Sequence, residues 1–167
     1  MPRNCSSDLG AAMSYIDNTL STGTPDQVTA LKTQFGMEAV GNDDFGSALT
    51  YPLSSWQALQ AIDFATKGEA LFHQFCDAIE TKADGTVNTV ETGIGLPQAV
   101  TNWAAAFKKL APDANCPGTG GACYSSYNYA DPYYTDTSVS DKYQRGWSWL
   151  MCTQLGWFQS ESLAGRH

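Results

Sequence analysis

The sequence lacks the features that membrane-spanning and nucleic-acid-binding proteins require. No apolar run reaches the roughly eighteen residues that a membrane-spanning helix needs. Only nine of the 167 residues are lysine or arginine, they do not cluster, and the formal net charge is -8. Because a phosphate-binding protein needs a basic face, this charge balance argues against nucleic acid. We therefore expect neither a membrane nor a nucleic acid among the partners.

Histidine is also scarce, which bears on catalysis. The two histidines are His73, on the flank of an amphipathic segment, and His167, the last residue. A serine hydrolase needs a nucleophile on a strained turn, usually Gly-x-Ser-x-Gly, together with a histidine base and a carboxylate. The nearest match, Gly146-Trp-Ser148-Trp-Leu150, lacks the final glycine and lies in a helical pattern. We therefore expect no catalytic residue in this chain.

Metal and cofactor motifs are missing as well. Cys116 and Cys123 have no second cysteine pair or histidine nearby, which argues against a zinc site. Asp43 and Asp44 suit a helix cap better than a calcium site, which would need several more oxygen ligands. No glycine-rich stretch completes a dinucleotide or phosphate-loop fingerprint. The sequence predicts neither a metal nor a cofactor.

Helical periodicity dominates the first 110 residues. It predicts a mainly α fold, an irregular bundle of about five to seven helices in a single domain over 1–167. Helical hairpins are expected over 6–110, and a final helix and turn over 141–159. Between them, 111–141 reads as a long loop rich in glycine and aromatic residues. A loop of that length in a compact domain is either functional or disordered.

Capping residues set the expected ends of the first two helices. The first helix is expected to begin at Ser6 or Ser7, capped by a serine, and to end before Gly23. The second is expected to begin at Thr24, because Thr24 and Gln27 can form a capping box. Its apolar stripe leads to a glycine stop at position 36.

The remaining helices are delimited less sharply. We expect a short helix from Asn42 through Leu49 that ends at Pro52, followed by a second helical stretch to Gln60. Gly68–Glu80 is strongly amphipathic, with Glu80 assigned to the polar face. A loop follows in which 87–92 could pair as a short strand, and Leu96-Pro97 then opens the next helix, with Val100, Trp103, Ala104 and Phe107 facing inward.

Residues 145–159 hold three tryptophans, one phenylalanine and one cysteine. A helix here would be apolar nearly all round, because Trp147, Leu150 and Met151 share one stripe and Trp149 and Cys152 share the next. Such a helix must be covered on several sides. The simplest interpretation is a central core helix, since an aromatic stripe is usually a packing surface.

The pattern Trp-x-Trp-x-x-Cys-Thr-Gln-x-Gly-Trp-Phe-Gln over 147–159 resembles the S28 family of serine peptidases, the group of prolyl carboxypeptidase and dipeptidyl peptidase II with its fungal members. The segment Met1-Pro-Arg-Asn-Cys5 resembles the start of that family's helical insertion, and Phe75-Cys76-Asp77 resembles a helix within it. Leu31–Gly36 with Asp43-Asp44-Phe45 resembles its middle. The resemblance covers most of the chain, most strongly over 145–159 and least over 83–142.

The resemblance implies that the chain is the helical cap, or SKS insertion, of a prolyl serine peptidase. In that family the catalytic serine precedes the insertion, and the acid and base follow it. The expected partners are therefore a missing α/β-hydrolase catalytic domain and a proline-containing peptide, and the chain alone should be inactive. The leading alternative is a stand-alone secreted module that binds a peptide or a glycan. A further alternative is an independent enzyme that uses Ser148.

Five cysteines with few lysines favour a secreted protein, or one of an acidic vacuolar or lysosomal compartment. No apolar segment of signal-peptide type follows Met1, so we expect a mature or cut-out piece. Asn4-Cys5-Ser6 matches the glycosylation acceptor pattern, which often occurs by chance.

The cysteines predict two disulfides and one unpaired thiol. Cys116 with Cys123 would close a small loop, whereas Cys5 with Cys76 would tie two helices and stabilise the fold by about 4 kcal/mol. The second pairing also matches how the resembling family ties its insertion. Cys152 is then left over, either as a buried free thiol or as a cysteine whose partner lies in the hydrolase domain, as the resemblance implies.

The resemblance also implies where substrate is contacted. The family sets an apolar side chain, here Trp157, against the residue that precedes the scissile bond, commonly proline, and an indole face can stack on a proline ring. Gln154 replaces the usual glutamate, and a neutral amide cannot pair with a cationic amino terminus. Trp149 and Phe158 are assigned to the same substrate-binding group.

Overall fold

The computed structural model describes residues 2–110, 124–125 and 143–156, and the chain divides into two compact units, Met1–Tyr127 and Asn128–His167. The fold is mainly helical, as predicted, with no named strand in the described part of the chain. The first unit contains α1 (Arg3–Thr22), α2 (Pro25–Phe35), α3 (Asn42–Lys67), α4 (Leu71–Ile79) and α5 (Leu96–Leu110). The second contains α6 (Tyr143–Leu150) and a π-helical turn (Met151–Leu155). Both the predicted loop over 111–141 and the Cys116–Cys123 pairing lie outside the described residues, apart from 124 and 125.

Helix α1 begins earlier than predicted. Pro2 occupies the N-cap position without a side-chain cap, and Ser6 N–H already donates to the Pro2 carbonyl. Ser6 and Ser7 are therefore exposed helical residues rather than caps, and the serine cap was wrong. Cys5 in the first turn is fully buried and covalently tied, which holds this turn in helical geometry without a capping side chain. The helix ends before Gly23, as expected.

The disulfide Cys5–Cys76 joins the first turn of α1 to α4, with its Cα atoms 5.4 Å apart. This is the long-range pairing predicted from the sequence. The bond lies at one end of the core that α1 and α4 share. Four residues of each helix face this core: Cys5, Leu9, Ala12 and Ile16 of α1 with Phe72, Phe75, Cys76 and Ile79 of α4.

Helix α2 has the predicted capping box. The Thr24 side chain accepts from the Gln27 N–H, and the Gln27 side chain accepts from the Thr24 N–H at 2.8 Å. Gly36 ends the helix in the left-handed conformation, with φ of 73°. The sequence did not reveal that Lys32 is buried, where its Nζ donates to the Val40 carbonyl at 2.6 Å. Burial lowers the pKa of this lysine.

Helix α3 corrects the prediction that Pro52 ends a helix. It runs without interruption from Asn42 to Lys67, with Pro52 inside it. An internal proline costs roughly 3 kcal/mol because it removes a backbone hydrogen bond and crowds the preceding turn. Leu49 and Leu53, on either side of Pro52, are both buried in the core. Tertiary packing on both flanks therefore outweighs the local preference to stop.

An aromatic cluster fills the centre of this unit. The Phe35 ring packs edge-on against Phe45, Trp103 and Phe107, with ring centroids 5.5 to 6.2 Å apart. The Phe75 ring also packs edge-on against Trp103, with ring centroids 5.9 Å apart. Helix α5 presents Val100, Trp103, Ala104 and Phe107 to this cluster, as its periodicity predicted. Edge-to-face contacts of this kind add to the free energy gained by burying the rings, and they favour one packing arrangement.

The connection from α4 to α5 contains one isolated bridge, Thr81 with Val87, instead of the short strand considered for 87–92. Its turn is local: the Asp84 side chain accepts from the N–H and the hydroxyl of Thr86. These bonds lower the pKa of Asp84. The segment then contacts α1 at Asp8, whose carboxyl group accepts from the N–H groups of Ile94 and Gly95. It continues from Gly95 directly into α5.

Candidate substrate-contact segment

The segment with the tryptophan-rich pattern is a helix that widens in its last turn. Helix α6 covers Tyr143–Leu150 and continues directly as the π-helical turn Met151–Leu155. Gly156 closes the turn: its φ is 57°, and its N–H donates to the Met151 carbonyl at 2.9 Å. The positive φ explains why glycine is needed at 156. The π turn displaces the side chains after Met151 from the stripes expected of a regular α-helix, and such turns are frequent at functional sites.

The prediction of a central core helix is wrong for this segment. The Trp147 side chain is 51% exposed and the Trp149 side chain is 60% exposed. Leu155 is also exposed, and Leu150 and Met151 are only half-buried. Eight residues of helix cannot bury an apolar surface on all sides, so the aromatic faces remain at the surface. Exposed indoles of this density are typical of a binding or interaction surface.

Two of the four predicted substrate-binding residues fall on this surface. Trp149 lies in the last turn of α6, and Gln154 lies exposed in the π turn. The hydroxyl of Thr153 donates to the Trp149 carbonyl at 2.7 Å, which anchors the π turn to the end of α6. Trp157 and Phe158 lie outside the described residues.

Cys152 is exposed in the π turn, and its thiol is not in a disulfide with any cysteine that the structure describes. The sequence had left open a buried thiol and a thiol that lacks its partner. Exposure rules out the buried form.

Within the residues that the structure describes, Ser148 does not lie on a nucleophile elbow. The backbone of Ser148 lies inside α6, whereas a nucleophile elbow joins a strand to a helix. His73 is an exposed residue of α4 in the other unit. Among residues 2–110, 124–125 and 143–156, moreover, no group of three or more histidine, cysteine or acidic side chains could hold a metal ion.

Two buried carboxyl groups of the first unit were missed by the sequence reasoning. Asp8 of α1 is 3% exposed and Glu80, the C-cap of α4, is 1% exposed, although Glu80 was predicted to face solvent. Asn88, also buried, donates its side-chain amide to Glu80 Oε2 at 2.9 Å. Burial raises the pKa of Glu80, and the negative charge of Asp8 raises it further. Helical periodicity predicts the burial of both residues. Glu80 follows Cys76 by four positions and Asp8 follows Cys5 by three, so each carboxyl group lies on the same helix face as a buried cysteine.

Two shallow cavities flank this first unit. One, of about 290 Å³, lies over the disulfide and is lined by Asn4, Glu80, Asn88 and neighbours. The other, of about 260 Å³, lies between α1 and α2 near Tyr15 and Thr19. The amide of Asn4, in the glycosylation acceptor pattern, donates to the Asn88 carbonyl at 2.6 Å, and both residues line the first cavity. In the part of the chain that the structure describes, no helix has the length and apolarity needed to cross a membrane.

Comparison with known proteins identifies relatives over nearly the whole chain. It is 29% identical to the serine protease vicPa of Bipolaris victoriae (strain FI3) over 169 residues, which cover 91% of this chain and 30% of that protein. It is equally similar, at 29% over 174 residues, to serine protease vicPb of the same fungus, covering 97% of this chain and 32% of the relative. A probable extracellular serine carboxypeptidase of Arthroderma benhamiae is 25% identical over 99% of this chain and 25% of its own length.

No protein-family model matches the chain. The chain spans about a quarter to a third of the length of the curated relatives that it matches. All three relatives carry the name of a serine protease or a serine carboxypeptidase, and these similarities support a relationship between this chain and the serine peptidases.

Proposed function

We propose that this chain is the substrate-gating and recognition cap of a secreted, S28-like prolyl serine peptidase, and that it does not hydrolyse peptides alone. One observation carries the proposal: nearly all of this chain aligns with serine proteases of which it spans less than a third. A segment of that size corresponds to a domain or an insertion of a longer peptidase. The residues that the structure describes form helices, with no hydrolase sheet among them.

The geometry of the two units supports a division of labour within such a peptidase. The first unit has its own aromatic core and a disulfide, which are the features of a rigid support. Helix α6 instead exposes Trp147 and Trp149. A tryptophan face supplies a large apolar contact with little loss of conformational entropy, and it can pack against one face of the compact apolar proline ring.

Within this proposal Trp157 stacks on the proline that precedes the scissile bond. Phe158 and Trp149 extend the same apolar wall. Gln154 donates or accepts a hydrogen bond with the peptide backbone, and, because it is neutral, it gives no preference for a free amino terminus. Gly156, in its left-handed conformation, ends the π turn directly before Trp157 in the sequence.

The first test separates a cap from an enzyme. The purified chain is incubated with fluorogenic peptides that contain proline, over acidic and neutral pH, and no hydrolysis is expected. Hydrolysis that Ser148→Ala abolishes would contradict the proposal and identify an independent enzyme. Calorimetry on the same peptides and on oligosaccharides provides the second readout. Tight binding by the chain alone would identify the stand-alone binding module instead.

The second test addresses recognition in a longer peptidase that carries this segment. Trp157→Ala is expected to lower kcat/KM for substrates with proline before the scissile bond by about 5- to 150-fold, because a lost stacking contact costs about 1–3 kcal/mol. Substrates with alanine at that position should change little. Tyr15→Ala, at an exposed tyrosine of α1, is the matched control. Equal losses for the two substrate types would remove Trp157 from proline recognition.

A further inference from the structure

The buried carboxyl groups Asp8 and Glu80 lie where three parts of the first unit meet: α1, the end of α4, and the turn that leads into α5. Asp8 Oδ2 accepts from the N–H of Ile94 at 2.5 Å, and both Asp8 oxygens lie 3.2 to 3.3 Å from the N–H of Gly95. These donors immediately precede α5, whose first intrahelical bond runs from Ala99 to the Gly95 carbonyl. Backbone N–H groups at a helix N-terminus favour a negative charge, so the site suits an ionised Asp8.

Gly93 makes this contact with Asp8 possible. A Cβ atom at this position would overlap the carboxyl group of Asp8, and the φ of 84° independently favours glycine. The backbone of the turn therefore closes directly over the carboxylate. Asp8 cannot move away from Glu80 without breaking the two N–H bonds.

Glu80 has the opposite surroundings. Its Oε2 accepts from the Asn88 amide, but no donor among the described residues reaches its Oε1, which is fully buried. Asp8 follows Cys5 by one helical turn and Glu80 follows Cys76 by one turn, so the disulfide brings the two carboxyl groups to the same end of the core. Asp8 is the charged group that acts on Glu80, and Asn4 and Asn88 are its neutral neighbours. Asp77 of α4 is exposed at the rim of the cavity, and Arg3 of α1 pairs with Glu91 at the surface. A buried carboxylate oxygen without a donor is costly, whereas a protonated one becomes a donor itself.

We propose that Glu80 is protonated in the folded protein and that its Oε1–H donates to the Asp8 carboxylate, so that one proton locks α1, α4 and the turn before α5 together. The bond satisfies the only buried side-chain oxygen or nitrogen that lacks a partner in the described part of the chain. It also leaves a single negative charge, on Asp8, where the N-terminus of α5 stabilises it. Above the pH at which Glu80 loses this proton, two carboxylates face each other in the interior, and the hydrogen bond between Glu80 and Asp8 is lost.

The direction of the pH dependence follows from linkage. The pKa of Glu80 is raised in the folded state above its value in the unfolded chain. Below the unfolded value, both states hold the proton and the full contribution of the lock is present. As the pH rises, the unfolded chain releases the proton first, so the stability falls until the folded pKa is passed. The lock therefore stabilises the protein under acidic conditions and weakens towards neutral pH.

The test compares the wild-type chain with Glu80→Gln, because glutamine is the neutral isostere of a protonated glutamate. Its amide can donate to Asp8 while its carbonyl accepts from Asn88. Urea unfolding, followed by far-UV circular dichroism, is measured from pH 4 to pH 8. Near pH 4 the two proteins should have similar midpoints. At pH 7.5 the unfolding equilibrium constant of Glu80→Gln should be smaller than that of the wild type, by about tenfold for each unit by which the pKa of Glu80 is raised.

Glu69→Gln is the matched control, since Glu69 is exposed just before α4. It should leave the pH dependence of the midpoint unchanged. A Glu80→Gln chain that is destabilised equally at every pH would overturn the proposal, because it would indicate a glutamate held as an anion. The proposal would also be overturned if calcium raised the urea midpoint of the wild type at pH 7.5 but not that of Glu80→Gln. A bound cation, and not a proton, would then balance the charge of Glu80.

A direct titration does not depend on unfolding. The chain has five glutamates, so carbon-13 NMR of their carboxyl groups gives a small set of resonances that Glu80→Gln assigns by subtraction. The Glu80 resonance should titrate at a higher pH in the folded chain than in the chain unfolded in urea. A titration at or below that of the unfolded chain would refute the shared proton, whatever the role of the chain in a peptidase.

Discussion

Trp103 of the unit tied by the disulfide and the two tryptophans of helix α6 are placed in opposite ways. In the first unit, Trp103 is 1% exposed and makes edge-on contacts with Phe35 and Phe75. In α6, Trp147 and Trp149 are more than half exposed. The residue type is the same, but one copy supports the fold and the others present a surface.

The difference shows that aromatic density alone does not predict burial. Trp103 lies in a 15-residue helix whose other apolar residues repeat on one face, so the whole face packs against α1, α2 and α4. Helix α6 has eight residues, and its tryptophans stand two positions apart, which sets them on different sides.

Trp103→Ala should separate the two kinds of tryptophan most strongly. Removing a buried indole leaves a cavity in the aromatic cluster, so the free energy of unfolding should fall by about 3–5 kcal/mol. Trp149→Ala, at an exposed position, should change it by less than about 0.5 kcal/mol. Urea unfolding of both variants measures the contrast. Similar losses in the two variants would show that Trp149 is also a core residue.

Removing the disulfide, as Cys5→Ala with Cys76→Ala, should lower the stability of the first unit by about 4 kcal/mol. The bond closes a loop with a sequence separation of 71, and the loss is the chain entropy that the unfolded state regains. Thermal unfolding in the absence of reductant measures it. Cys152→Ser should leave the midpoint unchanged, because that thiol is exposed. A variant without both cysteines that unfolds like the wild type would mean that packing alone holds α1 on α4.

Gly93→Ala should destabilise the first unit by more than about 2 kcal/mol. A left-handed backbone costs a non-glycine residue about 1–2 kcal/mol, and here the added Cβ also displaces the Asp8 carboxyl group. Gly85→Ala is the matched control: it has nearly the same φ, 82°, but open space around the Cβ position. Gly85→Ala should lose only the part of the stability that comes from the strained left-handed backbone. If the two variants lost equal stability, the close approach of Asp8 would contribute nothing.

Thr24→Ala should have the smallest effect, a loss of about 1 kcal/mol, because it removes the side-chain half of the capping box. Thr29→Ala, on the exposed side of the same helix, should be neutral or slightly stabilising, since alanine is the better helix former. Guanidinium unfolding resolves differences of this size only when the m-values agree. A Thr29→Ala loss as large as that of Thr24→Ala would rule out the capping contribution.

The features that could be predicted from the sequence are those whose physical cause lies within a few residues along the chain. The ends of α2 followed from Thr24, Gln27 and Gly36, because each acts within four residues of its own position. The buried face of α5 followed from periodicity over a long helix. The disulfide followed from the spacing of cysteines together with a family resemblance.

The errors arose where distant packing overrides a local rule. Pro52 stays inside α3 because Leu49 and Leu53 are both held by the core, which no local pattern reveals. Glu80 was assigned to solvent because of its charge, although its spacing from Cys76 favoured burial. The π turn had no recognised sequence signal, and so the exposure of Gln154 and Cys152 could be seen only in the structure.

The disulfide between Cys5 and Cys76 also determines how the first unit carries mechanical load. A force applied between a point before Cys5 and a point after Cys76 passes through the sulfur–sulfur bond, so that 6–75 bear no tension. Most of α1 and all of α2 and α3 therefore lie in an unloaded loop. The tension passes to the end of α4 and the 80–95 connection, which holds the non-covalent contact between Glu80 and Asn88.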